Sequence, residues 1–441
     1  MFCARGNIVV TNRNARYLDI EDCRRIILPL NLTSVGECSR EDPLSGITGY
    51  RRILAYGVPF GALTRDVWLI CLSCVLGAFG EGLYFWVFPL YIRELHADYV
   101  QLGLVYSVLL GVSALVGLAG GLLADRWDRK KLLLLGWMLW IFAPLIYSFA
   151  AAWPQLIPGA VCWGASNISG PAISAYVITA VTDKKRVASV VTFVFSTFTF
   201  SYIFAPTVGG YLATIAGMKL VLYLSTLLIV ASTCVFFFIH SQHPLKNKAE
   251  GSSALVSTER RPLLRKLLLW SCFFALTTFF MSLARNFVPV FLSEQASLSE
   301  FYVGLFGSVN FAGMTFVGIA MGRLGDRWRK SGAISICLLL FIVSMVPMLL
   351  VRNPTVLMLL AFAYGGSAVT GSLVSSFVGT IAPEARRGLW LSIPQSLSML
   401  AAFAAPYLGG FLYTYSPYYA FIISIIAAPF LLMFSLLALK D

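Results

Sequence analysis

Glu81, in Gly80-Glu81-Gly82, and Arg285 are the one acid and the one base that fall deep inside long apolar stretches of this 441-residue chain. Charges in such places are costly and usually functional. A carboxyl group there could load and release a proton, and a guanidinium could hold an anionic solute group or pair with the carboxylate. Tyr84, Trp163, Asn167, Asn310, Tyr364 and Gln395 are further polar or aromatic residues in the same stretches, each open to reading as a ligand or as packing. Metal and cofactor chemistry find little support. The three histidines, His96, His240 and His243, lie in loops or at a helix end, and the pair Cys71 and Cys74 sits in an apolar run where small packing residues are expected. With no nucleophile–base pair and no nucleotide-binding loop, the chain reads neither as an enzyme nor as an ATP-driven machine.

The elements that must position Glu81 and Arg285 are membrane helices. Of all residues 58% are hydrophobic and 12% charged, and the mean hydropathy is +0.80, well beyond a soluble domain. Spanning segments must satisfy every backbone polar group internally, and a helix needs roughly 20 apolar residues to do so. Twelve stretches qualify: Val67–Tyr91, Leu102–Ala124, Leu132–Ala152, Gln155–Val181, Ala188–Ala213, Met218–Ile239, Leu267–Leu292, Tyr302–Leu324, Ala333–Val351, Thr355–Ile381, Leu389–Tyr413 and Pro417–Leu439. Their apolarity is continuous rather than alternating, which excludes barrel strands.

The formal net charge of +13 is a matter of topology rather than of nucleic acid. With the N-terminus inside, every Lys and Arg except Arg93, Lys219, Arg352 and the intrahelical Arg285 falls on the inner side. The positive-inside rule then places both termini in the cytoplasm. Residues 1–66 read as a poorly ordered cytoplasmic tail, or as lying upstream of the true start. Residues 67–239 form one six-helix bundle, 240–266 a cytoplasmic linker, and 267–439 a second bundle.

The two bundles are copies. Gly121-Leu-Leu-Ala-Asp-Arg-Trp127 leaves the second segment, and Gly322-Arg-Leu-Gly-Asp-Arg-Trp328 leaves the eighth, 201 residues on. Gly103 and Ser107 match Gly304 and Ser308, Trp163-Gly164 matches Tyr364-Gly365, and Arg186 matches Arg387. Pro206-Thr-Val-Gly209-Gly210 matches Pro406-Tyr-Leu-Gly409-Gly410, and Pro89 matches Pro289. Proline within a helix permits a bend, and paired glycines permit close approach. By the same register Glu81 corresponds to Met281, and Arg285 lies four residues, or roughly 6 Å of helix rise, further along.

These residues resemble the major facilitator superfamily of secondary transporters over about residues 67–439. Gly121, Leu123, Ala124, Asp125, Arg126, Arg129 and Lys130 stand in the places of its signature loop, with Asp128 where the family has Gly, and Gly322, Asp326 and Arg327 belong to the degenerate second copy. The resemblance implies a cytoplasmic gate motif that latches the halves when the other side is open. In it, Gly121 allows helix approach and Asp125 accepts from a neighbouring helix terminus. It also implies an all-α fold of twelve helices around a central cavity, working by alternating access. The expected protein is a monomeric multi-pass protein of the cell membrane, without cofactor or nucleic acid. It moves a small organic solute, coupled to a proton or other ion through Glu81, and leans to export because the cavity carries few charges. Proton-coupled uptake of an organic anion or other nutrient, with Arg285 as anchor, is the alternative. A non-transporting sensor that keeps the fold is the reading from another class.

Overall fold

The computed structural model describes residues 2–4, 7–9, 63–124, 126–181, 187–243, 261–327, 330–381 and 387–438. The chain divides into two compact units, 1–58 and 59–441. In the first, strands β1 (Phe2–Ala4) and β2 (Asn7–Val9) pair antiparallel, Phe2 opposite Val9. This short hairpin departs from the all-α expectation. The rest of the expected tail, the motif residue Asp125 and the middle of the linker lie outside the described residues.

The second unit is helical. Its first half comprises α1 (Arg65–Phe85), α2 (Phe88–Glu94), α3 (Tyr99–Ala124), α4 (Arg129–Phe149), α5 (Leu156–Ser166), α6 (Gly170–Ala180), α7 (Val187–Ala216) and α8 (Met218–Phe236). The second half comprises α9 (Arg261–Arg285), α10 (Val288–Glu294), α11 (Glu300–Arg327), α12 (Lys330–Leu350), α13 (Pro354–Ser367), α14 (Thr370–Ile381), α15 (Arg387–Tyr415) and α16 (Tyr419–Ala438). Among the described residues, 11 helical stretches are long and apolar enough to cross a membrane.

The sequence marks most boundaries. Thr64 caps α1 by accepting from Val67 N at 3.4 Å, and Asn353 caps α13 by accepting from Thr355 N at 2.9 Å. Gly217, at φ +78°, makes the one-residue turn between α7 and α8, a conformation that costs glycine little. The expected first and seventh segments each break in two. Pro89 and Pro289 sit in the first turn of α2 and α10, where a missing N–H is harmless. α9 begins at Arg261, inside the stretch read as linker.

The expected fourth segment is α5 and α6 joined by a 3-10 turn, Asn167–Ser169, with Pro171 in the first turn of α6. Its repeat breaks at the matching place, between Ser367 and Thr370. Short side chains take over the carbonyls at each break. Ser166 and Ser169 donate to Trp163 O and Ser166 O, and Ser367 and Thr370 donate to Tyr364 O and Ser367 O.

The halves meet along two seams, α3 against α15 and α7 against α11. A continuous apolar cluster crosses between them at one end, through Trp86, Phe287, Val303, Phe306 and Tyr413. Toward the other end, which carries Arg126, Arg129 and Lys130, the second half has its own cluster around Leu267, Trp270, Phe273, Leu338 and Val374. Large apolar side chains such as Leu115, Phe149, Leu227, Leu359 and Phe430 face outward, as a lipid-facing surface requires.

Candidate functional site

The duplicated motifs build the closed end. A Cβ at Gly209 would strike the Leu83 carbonyl of its own half, while one at Gly210 would meet Glu300 O and Gly304 Cα across the seam. Gly409 and Gly410 repeat this arrangement against Leu283 and Tyr99. Gly103 lies on Pro406 and Gly304 on Pro206, so each motif docks on the matching register position of the other half. α7 and α15 run unbroken through Pro206 and Pro406. Thr207 N and Oγ1 donate to Ser308 Oγ at 3.0 and 2.7 Å. At the outer edge Arg93 pairs with Glu294 at 3.3 Å, the Tyr99 hydroxyl donates to Glu294 at 2.8 Å, and the Arg93 guanidinium lies 4.1 Å from the centre of the Tyr99 ring.

The basic end is different. Among the described residues, no atom outside the glycine's own helix turn lies within 4 Å of a Cβ built on Gly121 or Gly322, so no described helix makes the close approach expected at these glycines. Arg129 donates instead within its own half, to Ala175 O, Thr179 Oγ1 and Gln242 Oε1. Lys130 Nζ donates to Phe237 O and Ile239 O. Arg126 is exposed. Asp326 and Arg327 end α11, and their side chains lie outside the described residues. Asp128, in the family's glycine position, caps α4 by accepting from Lys130 N at 2.9 Å and also accepts from Gln242 N at 3.3 Å. Burial opposes its ionisation. Hydrogen bonds from Ser241, Lys130 N and Gln242 N, with His243 nearby, outweigh burial and hold the carboxyl below its ordinary value.

Between these ends lies a central cavity region of two neighbouring lobes with a shared wall, of about 600 Å³ and about 250 Å³. The larger lobe belongs mainly to the first half and is lined by Glu81, Tyr106, Trp137, Trp140, Trp163, Asn167 and Tyr202. The smaller belongs mainly to the second half and is lined by Asn310, Tyr364, Ser367, Thr370 and Gln395. Thr278, Ser282, Arg285, Met399 and Ala402 line both lobes. Phe85, Tyr202 and Phe311 pack as one aromatic group between the cavity and the closed end, with Tyr202 and Phe311 stacked at 4.7 Å.

Glu81 lies within hydrogen-bonding reach of the Tyr202 hydroxyl and the Trp163 indole N–H. Arg285 is exposed to the cavity, and its charge is felt at Tyr106 and Tyr364. Among the described residues no ion pair joins Glu81 to Arg285. The structure thus gathers Glu81, Arg285, Trp163, Asn167, Asn310, Tyr364 and Gln395 around one cavity. Tyr84 is the exception: it is fully buried between Phe88, Tyr147 and Trp163, behind the wall. Asn310 donates to Ala361 O at 3.4 Å.

Sequence reasoning misses Tyr106, Trp137, Trp140, Tyr202, Ser282 and Asn286, all on the wall. Tyr202 and Asn286 carried a signal. Tyr202 stands four residues before Pro206, in the register of Ala402, which also lines the cavity, and Asn286 adjoins Arg285. The others are single residues in an aromatic-rich chain and carried none.

Two repeated helical halves, sealed at one end around a polar-dotted cavity and clothed in apolar side chains, define a multi-pass membrane transporter. The chain belongs to the Major Facilitator Superfamily, whose family model matches residues 70–291 and 274–441. It is 25% identical over 362 residues to the multidrug resistance protein MdtG of Proteus mirabilis, covering 79% of this chain and 89% of that protein. It is 27% identical over 327 residues to the protein of the same name in Salmonella dublin, covering 70% and 78%. Among solved structures, the nucleoside transporter NupG shares the fold at a TM-score of 0.73 with 14% identity, covering 85% of this chain and 100% of that one.

Proposed function

We propose that this protein is a secondary active exporter of small organic solutes that exchanges its cargo for protons at Glu81. The observation that carries the reading is Glu81, the one acid among the described residues lining an aromatic cavity, set against Tyr202 and Trp163, with no described neighbour packed on Gly121 or Gly322 at the basic end. A carboxyl group placed there can be protonated from one side and deprotonated from the other as the halves rock around the cavity. The names of the relatives support export of drug-like solutes. In this reading the chain is a monomer in the cell membrane, with the basic end and both termini cytoplasmic. It crosses twelve times, because α5 and α6 together cover residues 156–180, roughly 37 Å of helix, enough for one traverse. The state described is then inward-open, and the motif around Asp125 and Asp326 closes the basic end in the opposite state.

The test is proton movement in reconstituted vesicles on addition of solutes from a panel of drugs, sugars and organic acids. The intact protein should move protons with some of them, and the Glu81→Gln variant should move none, even at solute concentrations raised enough to offset any loss of affinity. Proton movement that survives Glu81→Gln would overturn the coupling role. Arg285, exposed to the cavity without an acidic partner among the described residues, favours a second reading, uptake of organic anions anchored by its guanidinium.

A further inference from the structure

We propose that the cavity selects zwitterionic solutes, with a cationic nitrogen held in the Glu81 lobe, an anionic group on Arg285 and an apolar body lying between them. The proposal rests on the reading of this cavity as the solute site and names the charge class it takes. Among the described residues that line the two lobes, Glu81 is the one acid and Arg285 the one base. They do not neutralise each other, since no ion pair joins them. Glu81 has only neutral donors, Tyr202 and Trp163, beside it, and Arg285 is open to the cavity with no acid paired to it among the described residues, so each group gains from a solute that brings the opposite charge.

The two charges have different near neighbours. Glu81 has the Tyr202 hydroxyl and the Trp163 indole within reach, in a lobe whose wall also carries Trp137, Trp140 and Tyr106. Aromatic faces beside a carboxylate suit an organic cation, because the ring quadrupole and the charge act in the same direction. Arg285 borders the same lobe and also the smaller one, whose wall carries Asn310, Gln395, Thr277 and Thr278. Amide and hydroxyl donors beside a guanidinium suit a carboxylate or another oxyanion. The repeat register keeps the two charges on equivalent helices but offset: Met281 occupies the place of Glu81 in the second half, and Phe85 the place of Arg285 in the first. Both of these apolar residues face the cavity. Each half therefore offers one charge and one apolar wall, and together they form a fixed dipole. A monocation meets Arg285 unfavourably, a monoanion meets Glu81 unfavourably, and a zwitterion meets neither.

Trp137, Trp140 and Trp163 make binding readable as quenching of intrinsic fluorescence in the purified full-length protein, with no ion gradient. The probes are a phenylalkyl amine, a phenylalkyl carboxylate and a phenylalkyl amino acid of equal length, at neutral pH. The intact protein should bind the amino acid about tenfold or more tightly than either relative, the worth of one charged hydrogen bond. Arg285→Gln should bring the amino acid down to the level of the amine, and Glu81→Gln should bring it down to the level of the carboxylate. Arg285→Lys, which keeps the charge, should retain the preference, and all variants are first required to elute as monodisperse protein. Equal affinity for the amine and the amino acid, an unchanged order in Arg285→Gln, or binding of none of the three probes overturns the proposal. Because the readout needs neither transport nor a proton gradient, failure of the exporter reading leaves it intact, and its own failure leaves proton movement to be judged separately.

Discussion

Replacing Gly103 and Gly304 together by alanine should drive the protein out of the state described here and toward one open at the opposite end. A Cβ on Gly103 would stand 2.8 Å from the carbonyl carbon of Pro406 and 3.1 Å from Tyr407 Cα, and one on Gly304 would stand 3.0 Å from Gly210 Cα. Ordinary carbon contacts begin near about 3.5 Å. The opposing atoms are backbone, so no rotamer change relieves the clash, and both seams must part by roughly half an ångström or more. Overpacking of this kind costs about 1–3 kcal/mol per site. Both sites belong to the same closed end, so the penalties fall on one state. Even a net 2 kcal/mol changes the ratio of the two states by about thirtyfold. A cysteine introduced by Ser282→Cys on the cavity wall, in a background without accessible native cysteines, reports the state through a membrane-impermeant thiol reagent added to one side or the other. With both glycines in place it should label from the basic end alone, and in the double variant from both sides. Labelling still confined to the basic end in a well-folded double variant would refute the reasoning. Gly209→Ala is the internal control: its Cβ strikes Leu83 of the same half, so folded yield should fall without a change of side.

Gly121→Ala meets no described neighbour, so it should leave the thermal stability of the purified protein within about 0.5 kcal/mol. If the motif closes the basic end in the other state, the same variant should also slow solute turnover in vesicles. Ser232→Ala removes the acceptor of the Trp137 indole N–H, 2.8 Å away and buried, and breaks the Ser232 bond to Ser73 O. Stability should fall by about 1–3 kcal/mol, read as a lower unfolding temperature in detergent. Asp128→Ala loses the cap of α4 and should cost about 1 kcal/mol or more at pH 7. The folded Asp128 carboxyl is held below its ordinary value. Its stabilising share is therefore complete above about pH 4 and fades as pH falls through the lowered value, so the gap between the two proteins should narrow in acid. Arg93→Ala and Glu294→Ala remove a pair that is about a third exposed. Their double-mutant cycle should show coupling of no more than about 1 kcal/mol in thermal stability.

The repeat was legible because it is written in residues that have no substitute. Gly103, Gly210, Gly304 and Gly410 sit where backbone touches backbone across the seams, and no other side chain fits. The same repeat persists where the sequence is silent. His96 and Ser297, 201 residues apart and chemically unrelated, both adopt positive φ after the short helices α2 and α10. The breaks at Trp86–Val87 and Asn167–Ser169 were not legible in hydropathy, because an apolar run looks the same whether the helix is continuous or kinked. Charge was the surest guide to the cavity, since Glu81 and Arg285 have nowhere else to go in a membrane. The aromatic wall was the least readable part. Nothing but where α4 turns them sets Trp137 and Trp140 apart from a tryptophan such as Trp68, which faces outward. Tyr84 failed as a candidate for the same reason, since one helical step from Phe85 carries it from the wall into the packing behind.

Helices resist bending because each turn is bonded to the next, and α5–α6 gives up that ladder at the level of the cavity. With Ser166, Asn167 and Ser169 already bonded to the carbonyls of Trp163, Gly164 and Ser166, the rod has a compliant joint there, and tilting α6 need break few further bonds. Beyond the joint α6 is only 11 residues long. Arg129 holds Ala175 and Thr179, and Gln242 holds the Tyr176 carbonyl. The short arm is thus bolted to the signature loop and to the first residues of the linker. If the solute of the proposed cavity site rests on Asn167 or Ser169, it bears on the break itself, and a tilt of α6 would be carried to Gln242, where the chain leaves for the other half.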